Sequence, residues 1–159
     1  MEMSLSVTKR SSIIVAIVAA LALLFSTMFG LNAEAAQAKG DKVVSYAQTL
    51  KGSKFKWGGT TPKGFDASGY TQYVYSKSVK VKLPRTSADQ YKVGKSIKLA
   101  DLKPGDLVFY KTNGKTVSFV GIYVGKQQFI GATSNGVRLQ SMNDSYWKTK
   151  YVGAKSIVK

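Results

Sequence analysis

A glycine-rich stretch, Trp57-Gly58-Gly59 through Gly64-Phe65, delivers the chain onto Asp66-Ala67-Ser68-Gly69. Asp66 suits the N-cap of a helix, because its carboxylate can accept from the free backbone N–H groups of the first turn. The residue that follows stands at the positive end of the helix dipole, where a thiolate would be favoured. That residue is Ala67, which has no reactive atom. The chain contains no Cys and no His. Composition therefore excludes Cys–His and Ser–His catalysis and zinc sites built on either residue. Ser68 and Ser118 remain as hydroxyls, with only Lys or Asp to serve as base, and no spacing pairs them for that task. Asp66 has no second carboxylate near it in sequence, so it reads as a cap and not as a metal ligand. No metal and no cofactor are expected.

The elements that would position these residues are legible from periodicity. Apolar residues at 43, 44, 47 and 50 predict a helix over Asp41–Leu50, stopped by Gly52. The helix capped by Asp66 is predicted from Ala67 to Ser78, with Ala67, Tyr70 and Val74 on one face and Tyr73 near them. Leu83-Pro84-Arg85 is an extended link. Thr86 and Asp89 can cap a short helix reciprocally, and Gly94 closes it. After the Pro104-Gly105 turn the pattern changes to strands: 106–110, 117–124, 129–133, 137–142 and 151–158, with Asn113-Gly114 and Asn135-Gly136 as turns. Tyr146-Trp147 begins a loop. Helices followed by an antiparallel meander predict an α+β fold.

Residues 1–35 read as a signal peptide, and residues 36–159 as one domain. Lys9 and Arg10 precede an unbroken apolar run from Ile13 to Phe25, and small residues follow with cleavage patterns near Ala35 and Ala38. An uncleaved anchor is the alternative, although the run is short for a span of about 20 residues. The whole chain carries 24 basic and 8 acidic residues, a formal charge of +16. Cleavage leaves that charge unchanged, because Lys9 and Arg10 depart with Glu2 and Glu34. A balance so basic predicts contact with a polyanion. For an exported chain that means an anionic wall polymer or membrane surface before nucleic acid. The lysines are scattered, and no specific nucleic-acid site is expected.

Six segments, in order, resemble the NlpC/P60 family of bacterial cell-wall endopeptidases: Trp57-Gly58-Gly59, Gly64-Phe65-Asp66-Ala67-Ser68-Gly69, Leu83-Pro84-Arg85-Thr86-Ser87, Asp101 to Phe109, Val120 to Gly125, and Tyr151-Val152-Gly153-Ala154. The resemblance implies a compact papain-like fold over nearly all of the chain beyond residue 35. It also implies a nucleophilic Cys at position 67, a general-base His at 119, an orienting polar residue at 131 and a Tyr near the oxyanion site at 55. This chain has Ala67, Phe119, Gly131 and Phe55 at those four positions. If the hairpin between the two strands turns near Gly125, Phe119 and Gly131 face each other on one side. The ring then covers the bare glycine, a cross-strand rescue that stabilises sheets.

The expected function is therefore that of an exported, catalytically inactive domain that binds peptidoglycan stem peptides or anionic wall polymers. The expected binding residues are Phe55, Trp57, Asp66, Ala67, Ser68, Phe119 and Gly131. Two alternatives remain at this level: a regulator of an active cell-wall hydrolase, and a residual peptidoglycan hydrolase. Membrane contact is expected only through the signal segment.

Overall fold

The computed structural model describes residues 4–158, with the side chains of residues 4–16 and 22–30 outside the description. Two compact units divide the chain, Met1–Ala35 and Ala36–Lys159. Helix α1 (Ser4–Thr49) begins in the first, and its last turns, from Ala36, belong to the second. The basic residues Lys9 and Arg10 and most of the apolar run lie outside the described side chains. Among the described residues no helix is long and apolar enough to cross a membrane.

The helix expected to start at Asp41 has no start there, because Ala33 to Ala38 is rich in alanine and propagates it. Gly40 sits inside that helix for a packing reason: a Cβ there would collide with the carbonyl of Pro104. Val43 and Ala47 face the core, and Gly52 stops the element in the left-handed region, φ +85°.

The glycine-rich loop carries a small hairpin, β1 (Thr60–Thr61) and β2 (Gly64–Phe65), which no alternation in the sequence announces. Helix α2 (Ala67–Val79) follows, capped by Asp66 at its start and by Lys80 in the left-handed conformation at its end. The short α3 (Ser87–Gln90) is capped by Thr86, whose Oγ accepts from Asp89 N–H. The reciprocal arm of that cap differs from expectation: the Asp89 carboxylate takes the Thr86 hydroxyl.

A six-stranded antiparallel sheet completes the unit. Its strands are β3 (Lys95–Ile97), β4 (Leu107–Tyr110), β5 (Phe119–Gly125), β6 (Gln128–Thr133), β7 (Gly136–Ser141) and β8 (Tyr151–Ser156), with α4 (Ser145–Lys148) between the last two. The spatial order is β3-β8-β4-β5-β6-β7. The expected meander accounts for β4 to β7. The last strand returns to pair with β4, and β3, which the sequence analysis does not include, pairs with β8. All four residues of β4 are buried, so both its faces and both its edges need cover.

Helix α2 packs across β5 and β6. Its tyrosines tie it to two other elements: Tyr70 Oη donates to the Ala47 carbonyl at 2.8 Å, and Tyr75 Oη donates to the Gly105 carbonyl. Burial pushes both phenols above their ordinary range, so they remain donors.

The β5–β6 hairpin turns at Lys126-Gln127, both with positive φ (52° and 55°), the signature of a type I′ turn. Ile122 pairs with Ile130 and Tyr123 with Phe129, and the register shifts between Tyr123 and Gly125. Extending the Ile122–Ile130 pair puts Gly121, and not Phe119, opposite Gly131. The turn expected near Gly125 thus lies further along, because Lys126 and Gln127 take a conformation usually left to Asn and Gly.

Gly40→Ala tests the α1–Pro104 contact. Helix propensity alone would favour Ala by about 1 kcal/mol. Collision with a backbone carbonyl outweighs it, so the variant is expected to unfold about 1–3 kcal/mol more easily than the wild type in urea.

Candidate functional site

Asp66 is the junction of three segments. Its Oδ1 accepts from Gly69 N–H at 2.7 Å and from Arg85 Nη1 at 3.0 Å, with Ser68 Oγ at 3.4 Å. Its Oδ2 accepts from Gly58 N–H at 3.0 Å and from Arg85 Nη2 at 2.6 Å. The pairing with Arg85 is bidentate, the strong geometry for guanidinium and carboxylate. Five donors fill the roughly four acceptor positions that a carboxylate offers. Burial raises the Asp66 carboxyl, but the Arg85 guanidinium and the N–H groups of Gly69 and Gly58 outweigh it and hold the group below its ordinary value. The hydrogen bond to Asp66 raises Arg85 in turn.

Arg85 is a site residue absent from the seven expected from sequence. Its signal was present in Leu83-Pro84-Arg85-Thr86: an extended proline link brings a cation back to the helix start, 19 residues away. Arg85 Nη1 also donates to Ser68 Oγ at 3.0 Å. Ser68 and Ala67 are both buried. The hydroxyl of Ser68 is thus engaged by a cation, with no imidazole or free base beside it.

Lys56 to Gly59 forms a tight turn closed by Gly59 N–H on the Lys56 carbonyl, with Gly58 at φ +72°. Positive φ at the third position defines a type II turn. Trp57 stands at its corner and is 87% exposed. Phe55, just before the turn, makes an isolated bridge with Phe65 and is half-exposed.

Phe119 is only 7% exposed. Its ring packs 4.8 Å from Trp147, 6.0 Å from Phe129 and 6.1 Å from Tyr110, centroid to centroid. Aromatic pairs of this kind contribute about 0.5–1.5 kcal/mol each beyond their burial. The ring covers Gly131 diagonally: a Cβ on Gly131 would meet Phe119 Cζ at 2.9 Å. The expected register was off by two residues, which preserves the face, so the ring reaches the glycine from the diagonal position. Trp147 lies in α4 and not in a loop, buried against this cluster, with its Nε1 donating to Gln140 Oε1 at 2.9 Å.

Two clefts meet at Trp57 and Ser118. One, about 520 Å³, is lined by Phe55, Trp57, Phe119, Arg138, Tyr146 and Trp147 among others. The other, about 420 Å³, is lined by Trp57, Asp66, Ser68, Arg85 and Ser118 among others. Of the seven expected site residues, Phe55, Trp57 and Phe119 share the first, and Trp57, Asp66 and Ser68 share the second. Ala67 and Gly131 line neither. Phe119 is buried, and a groove stays open on both sides of Trp57. Arg138 and Tyr146 at its wall had no stronger signal than an exposed position on an edge strand and an aromatic beside a cap. Among the described residues of the two clefts, Ser68 Oγ meets Arg85 Nη1 and Asp66 Oδ1, and Ser118 Oγ meets Thr112 and Asn113.

A family model described as "NlpC/P60 family" matches residues 52–156. The probable peptidoglycan endopeptidase LytE of Bacillus subtilis is 47% identical over 115 residues, which is 72% of this chain and 33% of that protein. The murein DD-endopeptidase MepS/murein LD-carboxypeptidase of Escherichia coli is 41% identical over 109 residues, 68% of this chain and 57% of that protein. The chain thus spans between a third and just over half of these relatives. The solved structure of an NlpC/P60 family protein from Bacillus cereus superposes with a TM-score of 0.70 at 27% identity, covering 76% of this chain and 40% of that one.

Two measurements check the site as described. Gly131→Ala should destabilise the wild type, and less so when Phe119 is already Leu. A double-mutant cycle by chemical denaturation should give coupling above about 0.5 kcal/mol. The second concerns pH. The Asp66 pKa is lower folded than unfolded, so its contribution is complete above the unfolded value of about 3.9 and is lost as pH falls through the lower folded value. Stability measured on acidification should therefore fall more steeply in the wild type than in Asp66→Asn, and the gap between them should narrow at the acid end.

Proposed function

The chain belongs to the NlpC/P60 family, and we propose that it is a member without peptidase chemistry that binds the bacterial cell wall. The observation that carries this reading is the state of the base position. Phe119 is buried in an aromatic cluster and packed over Gly131, in a chain without Cys or His. Replacement of a nucleophile alone would leave a base and its orienting group behind. Here the space they would occupy is packed with hydrocarbon. Ser68 offers no substitute, because its hydroxyl accepts from Arg85 and its nearest carboxylate is saturated.

Binding is supported by what is retained. The helix start, the loop turn and the Asp66–Arg85 pair hold a groove that passes Trp57. The relatives named as endopeptidases of peptidoglycan and murein supply the class of ligand. Residues 1–35 would direct export, and the +16 charge would add contact with anionic wall polymers.

The test has two arms. The full chain incubated with muropeptides should release no product by mass spectrometry; any cleaved product overturns the inactive reading. The same chain should sediment with purified wall sacculi at low and high salt. Failure to sediment at both salts overturns the binding reading, and sedimentation lost only at high salt moves binding from the groove to the lysines.

A further inference from the structure

The groove differs in charge from the rest of the protein. The chain is lysine-rich, at +16, yet no lysine lines either cleft. In the larger one Arg138 and Asp144 are the charged groups, one of each sign. In the smaller one Asp66 and Arg85 neutralise each other at 2.6 Å. A polyanion would be met by the cationic surface outside. The groove itself is suited to an uncharged ligand.

Its lining also has two kinds of chemistry side by side. Trp57 presents an open indole face, and Tyr146 is 48% exposed. The Lys150 ammonium lies 3.8 Å from the centroid of the Tyr146 ring and covers one of its faces, so Trp57 is the larger free platform. Around these rings the wall carries hydroxyls and amides, among them Ser134, Asn135 and Gln140. The Gln140 Oε1 is committed to Trp147, which leaves its amide N–H groups for a ligand. A pyranose ring has one apolar C–H face and a rim of hydroxyls, and an N-acetyl group adds an amide. Flat aromatic faces bordered by short polar side chains match that distribution, and a volume of about 520 Å³ accommodates a ring or two.

The backbone that carries Trp57 is also fixed before any ligand arrives. Its turn is closed by Gly59 N–H on Lys56 O at 2.9 Å and pinned by Gly58 N–H on Asp66 Oδ2 at 3.0 Å. With the corner already rigid, stacking on the indole orders only the side-chain torsions and not the loop, which suits a recognition platform.

We propose that the cleft beside Trp57 is a sugar-binding subsite that takes an uncharged N-acetylated hexosamine ring of a glycan strand, with Trp57 as the stacking platform. This rests on the wall-binding reading and names the part of the wall polymer that the groove holds: its glycan and not its peptide.

The full chain titrated with the N-acetylglucosamine tetramer, followed by tryptophan fluorescence, tests it. The tetramer should quench the emission of Trp57. Because the ligand is uncharged, affinity should stay within about twofold between about 50 and 500 mM salt. Trp57→Ala should weaken binding by about tenfold, read by calorimetry. Trp57→Tyr should restore most of it, and neither change should move the unfolding midpoint, because the side chain is 87% exposed. No binding of the tetramer, unchanged affinity in Trp57→Ala, or displacement of the tetramer by a free stem peptide overturns the proposal. Sedimentation with sacculi separates the two readings. Sacculus binding without tetramer binding sinks the sugar subsite and leaves wall binding standing, whereas loss of both sinks both.

Discussion

One carboxylate holds the site region in register. Asp66 caps α2 through Gly69, pins the Trp57 turn through Gly58 and clamps the extended link through Arg85. The partners of Asp66 lie 3, 8 and 19 residues from it, and no regular ladder joins the three segments. Loops of this kind carry backbone groups that must find partners or stay in water. A single anion with several lone pairs satisfies donors from all of them at once. The same saturation removes Asp66 from other duties, because a carboxylate already taken by five donors is a poor base and a poor metal ligand.

A second constraint comes from the aromatic cluster of Tyr110, Phe119, Phe129 and Trp147. It links β4, β5, β6 and α4 on one side of the sheet. The cluster fills the interior at Phe119 with close-packed aromatic carbon. Trp57 lines both clefts beside it. The lysines, meanwhile, lie outside the groove lining, and the protein presents a neutral cleft within a cationic surface.

Much of this was legible in residue order. The cap at Asp66, the capping partner Thr86, the turn at Pro104-Gly105 and the four strands of the meander all depend on neighbours within a few positions, where local rules hold. The absence of Cys and His settled which chemistries were excluded. The hairpin β1–β2 and the strand β3 were not legible, because segments of two or three residues have no periodicity to read. The turn at Lys126-Gln127 was not legible because neither residue prefers positive φ; the flanking strands impose it.

The sequence by itself determined the fold class and the chemistries excluded by composition, which follow from residue types and spacing along the chain, and its resemblance to the NlpC/P60 family pointed to positions 55, 67, 119 and 131. Only the tertiary structure decided what those residues do together. The return of β8 to β4, the capture of Asp66 by Arg85 and the ring of Phe119 lying diagonally over Gly131 join residues distant in sequence. So does the neutral groove beneath a lysine-rich surface. Such contacts arise from packing and charge pairing in three dimensions, and one-dimensional spacing does not encode their geometry.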